Sequence, residues 1–112
     1  MDIVRKMTLI GATGRKVIEV VIDTGASRTS VRSEMADAVG LPLSGEEEVF
    51  IDASGNKNLE IGGKLALRYH DKVYPIYGFI SENLSCQCLL GMDFLSLYKV
   101  QIDARSGRLH FR

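Results

Sequence analysis

The sequence predicts an all-β fold, a barrel or sandwich of short strands carrying one or two short helices. Three observations lead there. Apolar residues recur with a period of two over much of the chain, turn-forming residues recur at short intervals, and β-branched residues fill the apolar run before residue 23. The 112 residues, 46% hydrophobic and 25% charged, suffice for one domain, 1–112, with a modest core and match neither a disordered nor a fibrous chain.

The first strand pair is expected around LIGATG at residues 9–14. Its glycines resemble the opening of a dinucleotide-binding unit, but that mechanism needs a helix directly afterwards and a third glycine. RKVIEVVI follows instead, so the glycines are expected to turn a β-hairpin and no cofactor is expected. Residues 33–39, SEMADAV, read as a helix with Ser33 as N-cap, Glu34 in the first turn and Gly40 as the C-terminal glycine before Leu41 and Pro42. Further turn signals are Ser44-Gly45, residues 54–56, Gly62-Gly63, residues 70–72 and Ser106-Gly107. Between them Leu59, Ile61, Leu65, Leu67 and Tyr69 share one strand face, with Glu60, Lys64 and Arg68 opposite. Val73, Pro75, Tyr77 and Phe79 alternate in the same way, Pro75 marking an edge or a bulge. Residues 93–98 predict a second short helix with Asp93 as its cap.

Fourteen basic and fourteen acidic residues cancel, so nothing in the charge favours nucleic acid or an anionic membrane. No apolar run reaches membrane-spanning length, and the first residues lack the apolar core of a signal peptide, so a cytoplasmic chain is expected. Cys86 and Cys88 read as reduced thiols, and His70 and His110 stand apart, so no metal site is expected.

The stretch VVIDTGAS at residues 20–27 carries the chemistry. A strongly apolar strand runs into Asp23, and a carboxylate there is costly unless it is hydrogen-bonded, paired or open to a cleft. As a single aspartate it reads most simply as a turn-forming acid, the reading that also suits Asp52, Asp71 and Asp93. Yet two such carboxylates sharing one proton can hydrolyse a peptide without metal or nucleophile: one takes a proton from water while the other polarises the carbonyl. Gly25 admits a second backbone closely, and Thr24 and Ser27 bring hydroxyls to the loop.

VIDTGAS at 21–27 and CLLGMDFL at 88–95, joined at this distance, resemble the retropepsins, the retroviral-type aspartic proteases, and among them the bacterial, archaeal and DNA-damage-inducible-protein relatives. The likeness spans nearly the whole chain. It implies a closed acid-protease barrel, with the second motif forming a strand beneath the active-site loop. It also implies that Asp23 is the catalytic carboxylate, that Thr24 locks two such loops across a homodimer, and that Gly25 touches substrate backbone. Ala26 and Ser27 would hold the loop, and Leu89 would line an apolar pocket. Residues 49–61 take the place of the flap, its tip Ala53, Ser54, Gly55 and Asn56 lying over the substrate. Ser27 and Met92 stand where retroviral enzymes usually carry an acid and an arginine, which implies a different local network. Because the chain holds one D-T-G, the second carboxylate would come from a second copy, across an interface that also absorbs the sheet edges of residues 108–112. Two functions follow: a homodimeric endopeptidase cutting extended, mainly apolar segments of a peptide or protein, or a catalytically weak module that binds peptide with the same cleft.

Overall fold

The computed structural model describes residues 3–51, 55 and 57–111. Strands β1 (Ile3–Ile10) and β2 (Arg15–Ile22) form the expected antiparallel hairpin, with Ile3 opposite Ile22 and Ile10 opposite Arg15. Alternation is strict where it matters: Met7 and Leu9 on β1, and Ile18, Val20 and Ile22 on β2, are buried. The chain continues through β3 (Ser30–Arg32), α1 (Ser33–Val39), β4 (Leu43–Ile51), β5 (Lys57–Tyr69) and β6 (Lys72–Ser81), then β7 (Cys88–Leu90), α2 (Met92–Leu97), β8 (Gln101–Asp103) and β9 (Arg108–His110).

The main sheet has the order β1-β2-β7-β3-β6-β5-β4, and β5 also pairs with β1 through Thr8–Arg68, Leu9–Leu67 and Ile10–Ala66. That last pairing closes β1, β2, β7, β3, β6 and β5 into a six-stranded barrel and removes the exposed edges an open sheet would leave. Its interior holds Met7, Leu9, Ile18, Val20, Val31, Leu65, Leu67, Leu90 and Phe94, all almost fully buried. Burying each such side chain is worth about 2 kcal/mol. Strand β4 stays outside the closed ring, paired with the outer part of β5, so β4 and β5 form a hairpin projecting from the barrel.

Several local expectations are corrected. Ser33 is the first helical residue of α1; Arg32 holds the N-cap position without a side-chain cap bond, while Gly40 closes the helix in the left-handed conformation as expected. Gly62-Gly63 is no turn but the middle of β5. A Cβ on Gly63 would stand 3.0 Å from the Pro42 carbonyl oxygen and 3.2 Å from Ile80 Cδ1, so this glycine lets β4 come in close. Ser44-Gly45 falls inside β4, where the register shifts between Leu43 and Glu47.

On β6 the phase is reversed: Val73, Pro75 and Tyr77 face out, while Tyr74 and Ile80 are buried and Ile76 packs on the core. Both faces of this strand are apolar, so period alone could not choose between them. Glu60, placed on the polar face, is 6% exposed. The sheet edges near the C-terminus are partly satisfied within the chain. Strand β9 pairs with β8, Arg5 donates to the Gly107 carbonyl, and Phe111 packs on Tyr69, Tyr74 and Phe94.

Candidate active site

Strands β2 and β3 are separated in the sheet by β7, which pairs parallel with β2 and antiparallel with β3. The connection from β2 to β3, carrying Asp23, Thr24, Gly25, Ala26 and Ser27, therefore arches over the end of β7. The amide of Asp23 donates to the Leu90 carbonyl at 3.0 Å, so pairing with β7 runs up to the acid. The side chain then turns back: Asp23 Oδ1 accepts the Gly25 amide at 2.8 Å, and the Asp23 carbonyl accepts the Ala26 amide at 3.2 Å. Asp23 is half-buried, with Thr24 and Gly25 exposed beside it. The carboxylate thus has a fixed direction and access to solvent.

Below the arch, Gly91 presses against the backbone of Arg28. A Cβ there would lie 2.6 Å from the Arg28 carbonyl oxygen and 2.8 Å from its nitrogen, so no larger residue fits without moving the loop. Ala26 and Ser27 hold the loop through their carbonyls, which accept the amides of Met92 at 2.7 Å and Asp93 at 3.3 Å. Ser27 itself is exposed.

Asp93 is not the cap of α2, whose N-cap position is Gly91. Its carboxylate instead accepts the Thr29 amide and hydroxyl and the Phe94 amide. Thr29 and Arg28 were absent from the residues that sequence reasoning singled out. The available signal was an acid directly after Gly-Met, one residue inside the helix and so past its cap position.

Leu89 and Leu90 separate cleanly. Leu90 is buried in the core, and Leu89, on the opposite face of β7, is half-buried. Of the expected flap tip, Gly55 is exposed with φ +83°, and Ala53, Ser54 and Asn56, like Asp52, lie outside the described residues. Cys88 is buried, and desolvation, reinforced by Cys86 alongside, pushes its thiol far above the ordinary range. Among the described residues no group of His, Cys, Asp and Glu is placed to hold a metal ion.

A six-stranded closed barrel whose D-T-G arch is braced from below by a Leu-Leu-Gly strand and a short helix defines the retropepsin-like aspartic protease class. Residues 11–97 match the family described as "gag-polyprotein putative aspartyl protease", and the chain belongs to that family. Its fold is similar to that of the retroviral protease-like domain of Ddi1 from Leishmania major, with a TM-score of 0.71 and 12% identity over 96% of this chain and 87% of that one. EIAV protease, solved with the inhibitor HBY-793, gives a TM-score of 0.68 and 11% identity over 92% and 93% of the two chains. A retropepsin-like aspartic protease from Rickettsia conorii gives 0.64 and 23% identity over 97% and 89%. At these identities the likeness is one of fold. No curated protein matches the sequence.

Proposed function

We propose that the chain is an aspartic endopeptidase that works as a two-fold homodimer, each copy supplying one Asp23. The observation that carries this reading is the direction of Asp23: one oxygen is held by the Gly25 amide on a braced arch, and the carboxylate remains open to solvent. Two such groups facing each other across a two-fold axis would share one proton. The ionised member takes a proton from a bound water, and the protonated member polarises the scissile carbonyl. Gly25, without a side chain, lets an extended peptide lie against the arch, and Leu89 offers it an apolar contact.

The neighbourhood of Thr24 supports a second copy as the occupant of this face. Thr24 is exposed on the lip shared by two shallow grooves of about 480 and 350 Å3. Met92, Leu95, Val100 and Ile102 give the first its apolar lining beside Ser96, Lys99 and Gln101, and Ile3, Ile22 and Ile102 line the second beside residues 104–107, Arg105 among them. Covering such a surface by self-association also brings the Thr24 hydroxyls together at the axis. In this reading the β4–β5 hairpin is the flap.

The test is cleavage of a peptide library by the wild-type chain and by Asp23→Asn, combined with sedimentation. Cleavage by a dimer and its loss in Asp23→Asn are expected. A cleaving species that sediments as a monomer would overturn the dimeric mechanism. A dimer that binds a statine-type inhibitor without cleaving anything would leave the peptide-binding module as the function.

A further inference from the structure

The side chain of Arg28, the residue just after the arch, leaves it in a definite direction. Its guanidinium carbon lies 3.9 Å from the ring centre of Phe79 on β6, and Nη2 donates to Glu60 Oε2 on β5 at 2.5 Å. The backbone of Arg28 is packed closely against Gly91, which fixes the point from which this side chain reaches. Glu60 is nearly buried, and a carboxylate so placed is held most strongly by a planar guanidinium.

The position of Glu60 in the sheet gives the pair its meaning. Glu60 opposite Ser81 is the outermost β5–β6 pair. Beyond it, Leu59, Asn58 and Lys57 pair only with Val49, Phe50 and Ile51 of β4 among the described residues. Glu60 therefore stands where the hairpin leaves the barrel, at the fulcrum of any hinge movement. The ion pair links that fulcrum to the segment carrying Asp23.

We infer that Arg28 and Glu60 are positioning residues that set the orientation of the β4–β5 hairpin relative to the Asp23 arch. This rests on the protease reading and on the hairpin acting as its flap. Binding a peptide beneath the hairpin requires a defined closed orientation, and the pair supplies it from the hinge, not from the tip. Losing it spreads the hairpin over more orientations and lowers the closed population, which a substrate or inhibitor must then restore.

The test is a double-mutant cycle with Glu60→Gln, Arg28→Met, which keeps an apolar chain on Phe79, and the combined variant. Each single variant is expected to raise KM, and the Kd of a statine-type inhibitor, about tenfold with a smaller change in kcat, the combined variant being no worse than either single one. Amide exchange at 46–51 and 57–60 should quicken in all three variants while β1 and β2 keep their protection. Independent, additive effects, or exchange that quickens equally throughout the barrel, would reduce the pair to an ordinary stabilising contact and overturn the inference. The exchange measurement needs no turnover. A wild-type chain that cleaves no peptide defeats the protease reading, while the hinge role stands or falls on exchange alone.

Discussion

The Asp93 carboxylate grips Thr29 at two points: Oδ2 accepts its amide at 3.0 Å and Oδ1 accepts its hydroxyl at 2.7 Å. The Thr29 hydroxyl oxygen in turn accepts the Gly91 amide at 3.2 Å, and Asp93 Oδ1 accepts the Phe94 amide at 2.7 Å. Thr29 is fully buried, so each of these groups would be left without water if its partner were removed. Asp93→Ala should therefore destabilise the chain by about 3 kcal/mol in urea unfolding. Asp93→Asn should lose less, because its amide oxygen still accepts the hydroxyl while its NH2 meets the Thr29 N–H. An alanine variant as stable as the wild type would show that Thr29 is held some other way.

Gly91 tests the arch from below. Its missing Cβ would meet backbone atoms of Arg28 at 2.6 to 2.8 Å, and these cannot rotate away as a side chain could. Gly91→Ala should cost about 3 kcal/mol and displace the arch, so activity should fall further than the loss of folded protein accounts for. Comparing activity per folded molecule with the thermal midpoint checks this. Parallel losses would mean that the substitution only unfolds the chain.

The thiol of Cys88 gives a pH signature. Desolvation raises its folded-state value far above that of an exposed thiol, so the native state keeps the proton while the unfolded state loses it as pH rises past the ordinary thiol range. The unfolded state then binds fewer protons, and stability should fall with rising pH by up to about 1.4 kcal/mol per unit from this group. Urea midpoints at pH 8 and pH 10 should differ more for the wild type than for Cys88→Ala. Equal differences would remove Cys88 as the cause.

What the sequence showed in advance, and what it hid, follows from the range of the interactions. The β1–β2 hairpin, α1 with Gly40 and the strand beneath the arch were legible because each rests on neighbours in the chain or on a motif whose residues have one use. The phase of β6 was not, since Val73 and Tyr77 are as apolar as Tyr74 and Ile76 and only the closure of the barrel decides which set turns inward. Gly63 looked like a turn because its purpose, room for the Pro42 carbonyl, lies in the segment that leads into another strand. Glu60 looked like surface because Arg28, 32 residues away, accounts for its burial. Asp23 announced itself through the apolar strand that ends in it. Thr29 and Asp93, which hold its loop, needed the fold to bring them together.

The shared proton proposed for the paired Asp23 carboxylates sets the pH dependence of cleavage. Two like charges a few ångströms apart titrate as one system, so the rate should be bell-shaped, rising as the pair loses its first proton and falling as it loses the second. Both limbs belong to the dimer, and dilution below the dimer's dissociation constant should abolish cleavage without shifting either limb. Rates measured across pH at two protein concentrations check this. A single limb would indicate that one carboxylate acts alone.

Gly55 separates the hairpin's function from the stability of the barrel. It stands at φ +83° with open space where a Cβ would go, so a larger residue there meets no clash but strains the backbone. Leu43 and Val49 on β4 are exposed and, among the described residues, β5 joins the buried apolar core at Leu65 and Leu67, so a turn that relaxes locally to relieve that strain gives up little of the apolar burial that holds the barrel. Closure over a peptide is different, because it needs the turn in one shape so that main-chain groups on both strands can meet the substrate. Gly55→Val should lower kcat/KM about tenfold, the effect of roughly 1.4 kcal/mol of strain borne in the closed state. The thermal midpoint should move by only about 2 °C. In the wild type, amides at 52–58 should gain protection from exchange when a statine-type inhibitor binds. Equal protection with and without inhibitor, or a kcat/KM unchanged by Gly55→Val, would mean that this hairpin does not close over substrate.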